Sequence, residues 1–302
     1  LYLLCCLPMR KYTMIDSDAK LSQLQSQWKE KGITIVAMDF EGEFNLHIYG
    51  EHLCLIQLFD GSAYTLVDPF ALSKDALKAF LEDGSVLKVM FDCASDSALV
   101  RKQYDILLEG VYDIRVCALA LGYTGNLTGL VERYIPEAAK PNLCSKKKNQ
   151  MTNWLVRPLK NDQIEYALSD VEHLLVLKQI LDAEVAEKGL TEKVALEMQQ
   201  AGKSKGPDKP GWTKFSSWKY LSREEKVFLK HFFLARDELA RKYNVPAVRI
   251  LEKHVLLQMA KDVPSSDADF HVYCNNCTAR KLGELTAKLK SAKTNALAEL
   301  SR

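Results

Sequence analysis

Over roughly the first two thirds of the chain, short apolar runs alternate with helical stretches. ITIVAMDF (33–40) is nearly unbroken apolar and β-prone, the pattern of a central strand buried on both faces. HLCLIQLFD (52–60) and SAYTLVD (62–68) follow at hairpin distance, with Asp60-Gly61 as the turn signal. VLKVM (86–90) and VYDI (111–114) read as further short strands. Helices are predicted over 73–81, 94–104, 113–121, 127–134 and 162–187. The last carries Ile164, Leu168, Val171, Leu174, Leu175 and Leu177 on one broad face. The order βββαβαβαα predicts an α/β fold, a mixed sheet with helices packed against it.

The pattern then changes. QQAGKSKGPDKPGWT (199–213) has no apolar periodicity and is rich in Gly, Pro and Lys, as a flexible basic linker is. Ser222 and Glu225 form a capping box ahead of a helix reaching Tyr243, with Phe228, Leu229, Phe232 and Phe233 as its stripe. A turn at 244–251, a second helix ended by Pro264, and a charged Leu/Ala-periodic helix over 279–301 complete a small all-α domain. The expected organisation is a first domain over 1–190 (core about 30–185), a basic linker over 191–213 and a helical domain over 214–302.

With 47% hydrophobic and 26% charged residues in 302, the composition is globular, which excludes intrinsic disorder for most of the chain. No apolar run approaches the roughly 20 residues that span a bilayer, so no membrane partner is expected. The first residue is Leu rather than Met, as in a fragment or a processed chain, and LYLLCCLPMR is a poor signal peptide; the first dozen residues carry no assignment. The cysteines are scattered, which predicts free thiols in a reducing compartment: intracellular, cytoplasmic first, with nucleus and mitochondrion open. Cys274-Asn-Asn-Cys277 is half of a zinc pattern with no second half. Charge is uneven: residues 1–190 are net −6 and residues 191–302 net +8. An acidic catalytic module joined to one that holds a polyanion fits this division.

Asp39 and Glu41 end the first buried strand. Period two sets them side by side on one face, and Glu43 joins them if the strand continues. Adjacent carboxylates repel and are costly to bury, and a hard divalent cation offsets that cost. Asp-x-Glu at a strand end is common, so the pair alone says little. Asp96 adds a third acid early on the helix after VLKVM, and Tyr166 and Asp170 sit four apart on one face of the long helix. Four carboxylates and a phenol in this order suit a two-metal phosphodiester hydrolase.

Four separated segments carry a resemblance. VAMDFEGEFNLHIYGEHLCLIQLFDG (with LVDPF behind it), KVMFDCASD, VYDIRVCALALGY and NWLVRPLKNDQIEYALSDVEHLLVL resemble the DEDDy subclass of the DEDD superfamily of 3′–5′ exonucleases, and within it the ribonuclease D group. The resemblance covers about residues 30–185. It implies an RNase H-like (DnaQ-like) fold and removal of nucleotides from an RNA 3′ end as 5′-phosphomononucleotides, with two divalent cations, Mg²⁺ or Mn²⁺. It further implies that Asp39 bridges both metals, that Glu41 and Asp170 hold the water-activating one, that Asp96 holds the other, and that Tyr166 positions the water. Phe91 stands where the group usually has His, and Asp92 is an added acid. FLKHFFLARDELARKYNVPAVRILEKHVLLQMAKDVP (228–264) resembles one helicase-and-RNase-D C-terminal (HRDC) domain, where ribonuclease D usually has two.

Lys146, Lys147, Lys148, Arg157, Lys203 and Lys205 are candidate contacts to nucleic acid, against the simpler reading of solvated basic loops. For Arg157 the simpler reading is structural, bracing the loop before the long helix. Trp212 and Trp218 offer base stacking or packing onto the helical domain. His47 and His52 carry no assignment. RNA is the expected partner; DNA as substrate, or an inactive RNA-binding adaptor, are the alternatives.

Overall fold

The computed structural model describes residues 10–138, 152–203, 209–275 and 279–302. The chain divides into two compact units, Leu1–Glu43 with Glu51–Lys205, and Phe44–Gly50 with Gly206–Arg302.

The first unit is built on six strands: β1 (Tyr12–Ile15), β2 (Ile35–Phe44), β3 (Glu51–Phe59), β4 (Tyr64–Val67), β5 (Leu87–Met90) and β6 (Val111–Asp113). Their order in the sheet is β1-β4-β3-β2-β5-β6. β3 and β4 form the antiparallel hairpin expected around Asp60-Gly61, while β2–β5, β5–β6 and β1–β4 are parallel. The helices of this unit, among the described residues, are α1 (Asp18–Lys31), α2 (Lys74–Leu81), α3 (Ala94–Tyr104), α4 (Ile114–Ala120), α5 (Leu127–Tyr134), α6 (Asn161–Val171), α7 (Leu174–Glu187) and α8 (Thr191–Met198). This is the mixed sheet flanked by helices that the sequence predicts.

The parity of β2 decides where the chemistry goes. Val36, Met38 and Phe40 enter one core layer with Leu21 and Trp28 of α1 and Leu77 and Phe80 of α2. Ala37 points the other way, into a layer with Ile114 and Cys117 of α4 and Leu174, Leu177 and Leu181 of α7. Beside it Leu55 and Leu66 pack with Trp154 and with Ile164 and Leu168 of α6. Asp39, Glu41 and Glu43 continue the odd set, on the face toward α6.

Three expectations change. β1 and α1 are additional elements. Ser17 accepts from the Lys20 N–H at 3.4 Å, Gly32 closes α1 at φ +66°, and Leu21, Leu24 and Trp28 form its buried stripe. The single helix expected over 162–187 is two, parted at Glu172 and His173, where the His173 carbonyl accepts from the Leu177 N–H at 2.9 Å to start α7. The linker expected over 191–213 begins with a helix instead. In α8, Val194 is buried and Met198 packs on the α4–α7 layer, so apolar contacts hold this stretch on the first unit. Residues 204–208 of that linker lie outside the described residues.

The second unit holds α9 (Arg223–Tyr243), α10 (Lys253–Lys261), α11 (Asp267–Tyr273) and α12 (Ala279–Leu300). The Ser222–Glu225 capping box is present, with the two bonds at 3.1 and 2.7 Å. Phe228, Phe232, Leu239, Leu256, Met259, Phe270 and Leu289 fill its core. Gly211 lies so close to the Phe233 ring that a Cβ there would meet it at 2.4 Å. That approach sets the Trp212 ring edge-on to Phe233 at 6.0 Å. Trp218 joins the same core, so both tryptophans pack on the helical unit. Cys274 is buried there; Cys277 lies outside the described residues. No helix among the described residues is long and apolar enough to cross a membrane.

Candidate active site

β2 runs on to Phe44, so Asp39, Glu41 and Glu43 all belong to the strand and share its odd face. α6 brings Tyr166 and Asp170 over that face, one turn apart. Carboxylate oxygens of Asp39, Glu41 and Asp170 lie within 4.8 Å of one another. Asp96, the third residue of α3, is 9% exposed and stands outside that trio, yet its charge acts on both Asp39 and Glu41. The four acids named from the sequence are thus gathered into one electrostatic cluster.

Burial is the first cause that pushes the Asp39 carboxyl well above the usual range, followed by the charges of Asp96 and Asp170. Burial likewise raises Glu41, helped by Asp39, Asp170 and Asp96. Asp96 is pushed up to about 7 by burial and by the charges of Asp113 and Asp92. Protein that crowds anionic oxygens together at this cost offers a hard, oxygen-only donor set, and a divalent cation of the Mg²⁺ or Mn²⁺ kind fits it. The Tyr166 hydroxyl donates to Asp170, and burial with the charges of Asp170, Glu41 and Asp39 raises its pKa, which keeps it a phenol. Its ring tilts against the buried Trp154 at 6.2 Å.

Contacts that sequence reasoning did not foresee hold α6 in place. Arg10 donates its backbone N–H and Nη1 to Glu165, at 2.7 and 2.5 Å, and its Nη2 to Glu172 at 2.7 Å. These two acids lie next to Tyr166 and near Asp170 in the chain. Nothing in the spacing of residues around Arg10 marks this role, which arises only when the fold carries Arg10 to α6.

Arg157 is corrected as a nucleic-acid contact. Its Nε and Nη2 bind Asp68 at 2.7 and 3.0 Å, Nη2 also reaches the Cys54 carbonyl at 2.6 Å, and Nη1 reaches the Trp154 and Val156 carbonyls at 2.7 and 3.2 Å. All five guanidinium N–H donors have internal acceptors, so none is left for a phosphate. Lys203 is exposed. Lys146, Lys147, Lys148 and Lys205 lie outside the described residues. Phe91 carries the Arg115 guanidinium over its ring at 5.6 Å.

Residues 12–186 match a family profile described as 3′–5′ exonuclease, and residues 225–275 match the HRDC domain. A protein of Haemophilus influenzae named Ribonuclease D is 34% identical over 154 residues, which are 50% of this chain and 37% of that protein. A Ribonuclease D of Nitrobacter hamburgensis is 26% identical over 261 residues, 84% of this chain and 65% of the relative. The chain thus spans between about a third and two thirds of these curated relatives. In three dimensions it is similar to Escherichia coli RNase D, described as an exoribonuclease involved in structured RNA processing. The TM-score is 0.73 and the identity 24%, over 94% of this chain and 76% of the other. The catalytic core of RRP6 from Trypanosoma brucei is equally similar, at TM-score 0.73 and 19% identity, over 97% and 82% of the two chains.

Proposed function

The chain belongs to the 3′–5′ exonuclease family and carries an HRDC domain after the exonuclease domain, and from that premise we propose that it hydrolyses RNA one nucleotide at a time from the 3′ end. The observation that carries this reading is the meeting of Asp39, Glu41 and Asp170 within 4.8 Å, with Tyr166 bonded to Asp170 on the same helix. Asp39, Glu41 and Asp170 would hold one divalent cation, and Asp96 with Asp39 a second. Bound there, the ions would supply Lewis-acid stabilisation of the phosphoryl oxygens and a more acidic water. The protein's own part is to set the acids along the middle of β2 and on α3 and α6 and to keep Tyr166 protonated. Its hydroxyl then orients the attacking water, and 5′-phosphomononucleotides leave. The exonuclease domain on this reading runs to Lys205, and the basic residues beyond 190 help gather the polyanion. The relatives named for RNA work support RNA over DNA as the substrate.

The test is a 5′-labelled RNA with a 3′ overhang, its DNA counterpart and a circular RNA, each incubated with Mg²⁺, Mn²⁺ or EDTA. A ladder from the RNA 3′ end that EDTA abolishes is expected. A ladder on DNA alone makes the enzyme a deoxyribonuclease. Cuts in circular RNA contradict exonuclease action, and binding without any ladder leaves an adaptor.

A further inference from the structure

Asp96 reaches the acidic cluster only because α3 starts where it does, and α3 has an unusual start. Its N-cap residue, Cys93, makes no side-chain capping bond. The residue before it, Asp92, has φ +59°, left-handed backbone that Asp tolerates better than most non-glycine residues. The groups that fasten this turn come from another strand. Asp113, at the end of β6, accepts the Asp92 N–H at 2.8 Å on Oδ1 and the Cys93 N–H at 3.1 Å on Oδ2. The Cys93 thiol donates to Oδ2 at 3.4 Å, and Oδ1 also takes the Arg115 N–H at 2.9 Å, which caps α4.

We propose that Asp113 is a positioning residue for the third acid: its buried carboxylate caps α3 from the neighbouring strand and so fixes where Asp96 stands. The proposal rests on the reading of Asp96 as a metal-holding carboxylate. A helix turns about 100° per residue, so a slip of one residue in the turn before α3 would swing Asp96 away from Asp39. Asp113 is itself held on both sides. It pairs with Met90 across the β5–β6 ladder, and its own N–H reaches the Met198 sulfur at 3.1 Å. A carboxylate suits this place because each oxygen must accept two hydrogen bonds while carrying no proton of its own. Asparagine would turn an N–H₂ toward the Cys93 N–H and S–H, two donors it cannot satisfy. The carboxylate also suits the positive end of the helix dipole it faces.

The test uses the full chain and follows Mn²⁺ binding directly, by the electron paramagnetic resonance of the free ion, beside the Mn²⁺ dependence of RNA cleavage. Asp113→Asn should raise the half-saturating Mn²⁺ concentration of the weaker binding class about ten- to a hundredfold. The KM for RNA should stay near the wild-type value, and excess Mn²⁺ should restore much of kcat. A lowered thermal midpoint with unchanged Mn²⁺ binding would reduce Asp113 to a structural residue and overturn the proposal. Should Asp113→Asn fail to fold, Asp113→Glu, which keeps the charge and moves it by a methylene, is read in the same way; unchanged Mn²⁺ binding there overturns it. Asp96→Asn is the control. If it leaves Mn²⁺ binding and cleavage intact, the reading of the site falls and this proposal with it. If it removes both while Asp113→Asn changes neither, only this proposal falls.

Discussion

Arg157 and Asp68 meet in a two-pronged ion pair, Nε to Oδ2 at 2.7 Å and Nη2 to Oδ1 at 3.0 Å, 89 residues apart in the chain. Asp68 also takes the Phe70 N–H at 3.1 Å, and the Phe70 ring lies under the guanidinium at 5.1 Å. One basic side chain thus ties the end of β4 and the Cys54 carbonyl of β3 to the segment entering α6.

Arg157→Ala should therefore act on stability. It strands an aspartate and three carbonyls, and a loss of about 2 kcal/mol is expected for a partly buried network of this kind. Chemical denaturation measures it. RNA affinity below the melting range should keep its wild-type salt dependence. A fall of about one unit in the slope of log affinity against log salt would instead make Arg157 a phosphate contact.

Asp39→Asn should abolish cleavage while RNA still binds. Losing a carboxylate that would hold both cations should remove several kcal/mol of transition-state stabilisation, so more than about a tenth of the wild-type rate would defeat the two-metal reading. Tyr166→Phe keeps every carboxylate. It should lower kcat by roughly a hundredfold or more and leave Mn²⁺ binding unchanged. Weakened Mn²⁺ binding in Tyr166→Phe would show that the phenol supports Asp170 rather than the water.

The cluster also makes the stability of the metal-free protein depend on pH in an uncommon direction. The carboxyls of Asp39, Glu41 and Asp96 have folded pKa values above their unfolded ones, so what they contribute is present at low pH and lost as pH rises through the folded values. For Asp96 that loss builds up from the ordinary carboxylate range to about 7 and is complete above it. The thermal midpoint in EDTA should rise as pH is lowered from 8 to 5.5. Saturating Mg²⁺ at pH 8 should recover the difference by binding the folded state. A midpoint in EDTA that falls steadily over the same range would show that the acids are not held together in solution.

Lys146, Lys147 and Lys148 can be tested as a group. Replacing all three by alanine should reduce the salt slope of RNA affinity by about two units if each contacts a phosphate of the single-stranded 3′ end, since each such contact contributes about 0.7. A slope unchanged after the triple replacement would make them a solvated loop, and the net +8 beyond residue 190 would then have to carry the electrostatic attraction.

Much of this site was legible in one dimension because its chemistry is local. Strand parity alone sets Asp39 beside Glu41, and helical periodicity alone sets Tyr166 one turn from Asp170. The capping box at Ser222 and the turn at Asp60-Gly61 were readable for the same reason: each bond spans a few residues. α1 was equally local, with its Ser17 cap and the Leu21, Leu24 and Trp28 stripe, but it adjoins a segment to which no structure was assigned. What only the tertiary structure decided are relations across long stretches of chain. Asp96 joins Asp39 across the β2–β5 pairing. Arg157 spends its donors on Asp68, Cys54, Trp154 and Val156 instead of on phosphate. Arg10 clamps α6 through Glu165 and Glu172, and Asp113 caps a helix that begins twenty residues earlier. A polar side chain's partner depends on which backbone or charge the fold carries to within about 3 Å of it, and no periodicity along the chain encodes that distance.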